Sequence, residues 1–226
     1  MNYFMYLPYF ALLFCITMCF MQFLCLLRLG APKDLSEKSG SVAAGVRYSN
    51  TTAMLPAQKE SAYKHLPTYT AGILFHLGSF LTLILFLLLF FVTAWDFFFE
   101  QTLLSSGIAL FLWLTSCCGT GLIIKRLISK KLRPISNVDD YLSVILTTLL
   151  HIISALLFTI FALHEHFFNI VYANIILWAY FIVFIPFFLY LPFGKLKHAV
   201  YYFSARYHLG FFYGRRGTWP PSKTTE

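Results

Sequence analysis

Apolar residues run over bilayer-crossing lengths five times along the chain, at about 3–27, 69–95, 103–124, 141–163 and 169–193. None of these runs alternates apolar with polar positions, as a strand with one face in lipid would. The pattern predicts an all-α polytopic membrane protein, a five-transmembrane-helix bundle in a single domain over 1–226. Two long polar segments, 30–67 and 194–226, interrupt and follow the spans; the other connections are short. Composition agrees. The chain is 59% hydrophobic with a mean hydropathy of +0.71, too apolar for a water-soluble core of this size. The first run lacks a basic leading region and a small-residue cleavage site, so it reads as a retained span rather than a signal peptide.

Charge changes the picture by giving the spans a direction. The net charge of +8 is not spread as a nucleic-acid-binding surface would be. Six basic residues lie between runs one and two, five between runs three and four, and six after run five, which accounts for all 17. The opposite connections carry only Asp96, Glu100 and Glu165. By the positive-inside rule the N-terminus is expected outside, with the 30–67 loop and the 194–226 tail in the cytoplasm. The acidic pair Asp139–Asp140 opens run four, where carboxylates complement a helix N-terminus. Pro186 and Pro192 predict a kinked fifth span. The Ser/Gly-containing 30–67 segment is compatible either with disorder or with packing against another surface.

Candidate chemistry rests mainly on histidine. The five cysteines, Cys15, Cys19, Cys25, Cys117 and Cys118, fall within the spans at spacings that match no zinc or haem-attachment motif, and read as small buried hydrophobes. His76 lies about two turns into run two, roughly 10 Å from its inner start, between Gly72 and Gly78. His198 follows run five on the same predicted side. Two imidazoles at one depth on different helices are able to hold a flat cofactor between them; each is equally able to be a satisfied polar residue. Lys125 and Arg126, at the inner rim of run three, suit haem propionates or lipid headgroups. His151 falls near mid-membrane, where an ionisable residue is a functional candidate: a quinone contact, a proton relay or an interhelical hydrogen bond. The outer HEH triplet, His164, Glu165 and His166, is too short a motif to specify a metal.

Several stretches carry a resemblance: LFHLG in run two, GLIIKRL closing run three, the acidic opening of run four, and LPFGKLKHAVYYFSARYHL at the exit of run five. With its size and five spans, the chain resembles the cytochrome b (gamma) subunit of membrane-bound respiratory nitrate reductases. Membrane subunits of heterodisulfide-reductase-type and sulfite-reduction-associated complexes are related to that family. The resemblance implies that His76 and His198 are axial ligands of one haem b near the cytoplasm. It also marks a departure. The family's second, outer haem takes histidines at the positions held here by Phe86 and Tyr180. Phenylalanine does not ligate and tyrosine rarely does, so one haem b is expected, with the outer site lost.

The function implied is that of a membrane-anchoring haem b subunit of a multi-subunit oxidoreductase in a prokaryotic inner membrane. It would pass electrons between membrane quinol or quinone and an iron–sulfur subunit, which in turn serves a catalytic subunit, and would not be catalytic alone. The docking surface expected for the iron–sulfur subunit is the basic tail with the 30–67 segment. A haem-free structural anchor is the alternative. A transporter is disfavoured, because its spans would carry polar residues and paired broken helices.

Overall fold

The computed structural model describes residues 6–30, 34–58, 62, 64–89, 92–167 and 170–221, with side chains described for all of these except 92–95, 164–167 and 170–174. Among the described residues the fold is all-helical. Its α-helices are α1 (Leu7–Leu29), α2 (Val42–Asn50), α3 (Leu66–Leu88), α4 (Val92–Glu100), α5 (Thr102–Ile128), α6 (Val138–Phe167), α7 (Ile170–Tyr190) and α8 (His198–Arg215). Four of them, α1, α3, α5 and α6, are long and apolar enough to cross a membrane; α7 adds a fifth when it is taken together with α8.

One boundary differs from expectation. The second apolar run does not continue to 95: α3 ends at Leu88, and a separate nine-residue helix, α4, carries Asp96 and Glu100. The fifth run is interrupted near the kink that its prolines predict. Helix α7 continues through Pro186, stops at Tyr190 ahead of Pro192, and α8 starts only at His198. The missing proline N–H and the ring's clash with the preceding turn explain why the stop falls there.

The chain forms two compact units. The first comprises Met1–Thr17 and Pro67–Leu196, the second Met18–Leu66 and Lys197–Glu226.

In the first unit, α6 packs most extensively on α5 and then on α7. Small residues allow the close approaches. A Cβ at Gly119 of α5 would stand 2.3 Å from the Thr148 hydroxyl of α6, and one at Gly78 of α3 would stand 2.6 Å from Thr115 of α5. Helix association within lipid depends on such close packing, because hydrocarbon tails are as apolar as leucine. The start of α6 is capped reciprocally: the Asp140 amide donates to Asn137 Oδ1 and the Asn137 amide to Asp140 Oδ2, both at 3.0 Å.

The second unit answers the question left open for 30–67. Residues 34–50 pack against α8. Gly45 of α2 meets Gly210 and Gly214 of α8 backbone to backbone; a Cβ at Gly45 would lie 2.4 Å from the Gly210 carbonyl oxygen. The Ser49 hydroxyl donates to the Arg206 carbonyl at 2.6 Å, and Arg206 Nε donates back to the Ser49 carbonyl at 2.8 Å. Gly217 adopts φ +68, a left-handed value that suits glycine, where the chain leaves α8. Just beyond, Trp219 covers Tyr213 and Tyr48, with ring centroids 4.8 and 5.5 Å away. Asp34 receives the Ser36 amide at 3.0 Å and hydroxyl at 2.8 Å, and pairs with Arg216 at 3.2 Å.

Candidate functional site

Three places in the first unit gather the polar chemistry of the membrane-spanning helices. At the first, His76 lies on an exposed face of α3, and its Nδ1–H donates to the Gly72 carbonyl one turn back at 2.6 Å. A carbonyl only accepts, so Nδ1 carries a hydrogen. The two neighbouring glycines have different roles. Gly72 supplies the carbonyl that sets the ring's tautomer. Gly78 permits α3 to approach Thr115 on α5.

The second place is the interior beside His151, which is fully buried on α6. The ring meets Phe75 of α3 edge-on at 4.9 Å between centroids, and its Nε2 lies 3.2 Å from Ser79 Oγ. The Ser79 hydroxyl hydrogen is already donated to the Phe75 carbonyl at 2.8 Å. Ser79 Oγ is thus left as an acceptor for an imidazole hydrogen on Nε2. The Thr115 carbonyl also faces the ring. Nδ1 makes no hydrogen bond of normal geometry within the protein, and the same is true of the buried hydroxyls of Thr82 and Ser154. Buried polar groups are nearly always paired, so three such atoms on neighbouring helices are unusual.

The third place is the charged end. Asp140 pairs with Lys195 at 2.6 Å and Arg126 at 3.1 Å. Arg126 also donates to the Ser136 hydroxyl at 3.1 Å, and Lys125 donates to the Thr68 hydroxyl. The two predicted rim cations therefore have protein partners here. The backbone amide of Lys195 donates to Asp139 at 3.2 Å, and the Tyr190 hydroxyl also donates to the Asp139 carboxylate. The tight turn at 191–194 closes on Tyr190, whose ring a side chain at Gly194 would strike.

Phe86 and Tyr180 do come together, as halves of one aromatic core. Both are fully buried, with ring centroids 6.4 Å apart. Phe86 stacks on Phe184 at 4.1 Å and meets Tyr9 at 4.9 Å and Phe188 at 5.2 Å.

His198 belongs to the second unit, where it is the first residue of α8 and is exposed. One turn on, the Tyr201 hydroxyl donates to the Cys19 carbonyl of α1 at 2.9 Å. None of the five cysteines is disulfide-bonded. Among the described residues no group of three or more histidine, cysteine or acidic side chains is arranged to hold a metal ion, and the side chains of His164, Glu165 and His166 lie outside those described.

The sequence carries a signal for Ser154 but none for Thr82. Asp140, Ser143, Thr147, His151 and Ser154 recur every three or four positions in an otherwise apolar run.

No family model, curated protein or solved structure matches this chain.

Proposed function

We propose that this chain is the membrane-anchoring haem b subunit of a quinol-linked oxidoreductase, in the manner of the nitrate reductase gamma subunits that its sequence resembles. The observation that carries the reading is the His76 geometry. A ligating histidine ordinarily gives its other ring N–H to a carbonyl or carboxylate, which fixes the tautomer and strengthens the ligating nitrogen. The 2.6 Å bond from Nδ1 to the Gly72 carbonyl has this form. His198, exposed at the start of α8, is the proposed second ligand.

Such a haem would supply one-electron transfer between membrane quinol or quinone and the iron–sulfur cluster of a partner subunit. The remaining contributions belong to the protein. Lys125 and Arg126 would meet the propionates, Arg126 by sharing itself between a propionate and Asp140. His151 is the candidate for quinone contact or proton relay. The folded module of α2 and α8 is the proposed docking surface for the iron–sulfur subunit, through which a catalytic subunit is reached. It presents Phe203, Tyr207 and Phe211 at spacings of four along one exposed side of α8. The proposed location is a prokaryotic inner membrane, N-terminus outside.

The residues at the outer position do not fit a second haem. Phe86 offers no ligand atom, and the rings of Tyr9, Phe86, Phe184 and Phe188 pack closely around one another. The same core favours the second reading, a haem-free anchor that keeps the fold. A pyridine haemochrome assay on purified protein separates the possibilities. One haem per chain is expected; two would overturn the single-site reading, and none in folded protein would leave the anchor.

A further inference from the structure

The polar positions of α6 form a continuous track. At 3.6 residues per turn, Asp140, Ser143, Thr147, His151 and Ser154 fall within an arc of about 80°. All but Asp140 are buried. From Asp140 to Ser154 the track is about 21 Å long at helical rise, more than half of a hydrocarbon core of about 30 Å. The next two positions on the arc are Phe158 and Phe161, buried against Phe98. The track therefore begins at an ion cluster and ends against an aromatic wall.

The hydroxyls along it are not all alike. Ser143 donates to the Asp140 carbonyl and Thr147 to the Ser143 carbonyl, the ordinary recourse of a helical hydroxyl in an apolar setting. Their oxygens remain acceptors. Deeper in, Ser154 has the same recourse to the carbonyl one turn back and does not use it, nor does Thr82 of α3. With His151 Nδ1 these are three unpartnered polar atoms, each on a residue with no more than 1% of its surface exposed. Helices α3 and α6 both run away from the charged end, so Thr82 follows Ser79 along α3 as Ser154 follows His151 along α6. The two unpartnered hydroxyls thus lie one step beyond the Ser79–His151 contact.

We propose that this seam is a hydrated proton half-channel, open at the Asp140 end and closed at Phe158, with His151 Nδ1 as its buried proton acceptor. Its ligand is water. Buried waters typically make two to four hydrogen bonds to polar groups that would otherwise go unsatisfied, and Nδ1, Ser154 Oγ and Thr82 Oγ1 offer that number. Around the imidazole stand Phe75 and Ser79 from α3 and the Thr115 carbonyl from α5. The charged groups of the track are Asp140, Arg126 and Lys195 at its mouth; the phenol of Tyr180 lies in the aromatic core with Phe86. A proton on Nδ1 would thus exchange with the charged end of the bundle and not with the opposite face.

The test uses the full-length protein, labelled with ¹⁵N-histidine in liposomes, and solid-state NMR with magnetisation transferred from water. The His151 signal is assigned by its disappearance in His151→Gln. The expected result is a ring protonated at Nε2 and not at Nδ1, with ready transfer from water to Nδ1. Thr147→Val, close to isosteric, should slow that transfer severalfold and leave exposed His198 unaffected. Ser143→Ala serves in its place if the valine variant fails to fold. A dry His151 in the wild type, or unchanged transfer in a folded track variant, would overturn the half-channel. No haem is needed for this measurement. Hydrated His151 in a protein without a b-type spectrum would sustain the half-channel and remove the proposed function, and dry His151 in a haem-bearing protein would do the reverse.

Discussion

Gly78→Ala puts the packing of the first unit to a quantitative test. The added Cβ would lie 2.6 Å from Thr115 Oγ1 and 2.7 Å from both Cβ and Cγ2 of Thr115. Carbon atoms rest at about 3.5–4.0 Å, so the contact is short by at least about 0.8 Å. Rotation of the threonine does not relieve it, because Thr115 Cβ is fixed by its own backbone. Thr115 is also fully buried and bonded to the Leu112 carbonyl at 3.0 Å. Helices α3 and α5 must therefore separate, and overpacking of this kind costs about 1–3 kcal/mol. Alanine recovers up to about 1 kcal/mol of helix propensity over glycine. The net expectation is a loss of up to about 2 kcal/mol. Gly72→Ala is the matched control on the same helix, since nothing lies within 4 Å of a Cβ there, and it should be neutral or slightly stabilising. Thr115→Gly removes the obstacle, so Gly78→Ala should cost less in that background, a positive coupling in the double-mutant cycle. Reversible unfolding in mixed micelles, followed by circular dichroism, reads wild type and all four variants. Equal stabilities for Gly78→Ala and Gly72→Ala would refute the close approach of α3 to Thr115.

Three further outcomes follow from other contacts. Hydrogen bonds from the Ser36 amide and hydroxyl, then the Arg216 guanidinium, lower the Asp34 pKa to about 2. A depressed carboxylate stabilises the fold above its unfolded value of about 3.9 and loses that contribution as pH falls toward the folded value. The near-ultraviolet signal of Trp219 should thus weaken between about pH 4 and pH 2, and Asp34→Asn should flatten that change; an unaltered profile would remove Asp34 from the account. Gly45→Ala forces the backbones of α2 and α8 apart, and protease cleavage within 34–58 should rise at least severalfold, whereas protection equal to wild type would contradict the packing. Asp140→Asn leaves Arg126 and Lys195 without their shared carboxylate, and should lower stability by up to about 1 kcal/mol, an effect that shrinks with added salt; a loss independent of salt would argue against the ion cluster.

The helical class was legible because bilayer-length apolar runs have few other uses, and four helices of the required length and apolarity stand where such runs were read. The end of the second run was not legible. Nothing between 88 and 92 is a helix breaker, and apolar count does not distinguish one long helix from two. The polar 30–67 segment was ambiguous because its order comes from a distant partner: Gly45 is unremarkable until Gly210 and Gly214 meet it across more than 150 residues of chain. His76 and His151 stood out as titratable groups in apolar surroundings, but their tautomers follow from the Gly72 carbonyl and from the proton already committed by Ser79. Glycine illustrates the limit most clearly. Gly72 stands four residues before His76 and Gly78 two after it, yet one faces open space and the other faces Thr115. A helical period identifies a face, and only packing says what covers it.

The reduced-minus-oxidised optical spectrum of the purified protein, taken for wild type, His76→Ala and His198→Ala, tests the central claim most directly. A b-type spectrum in wild type that is lost in each variant is the result expected. Folded wild type with no such spectrum, or variants that both retain it unchanged, would contradict the assignment of these two histidines as haem ligands.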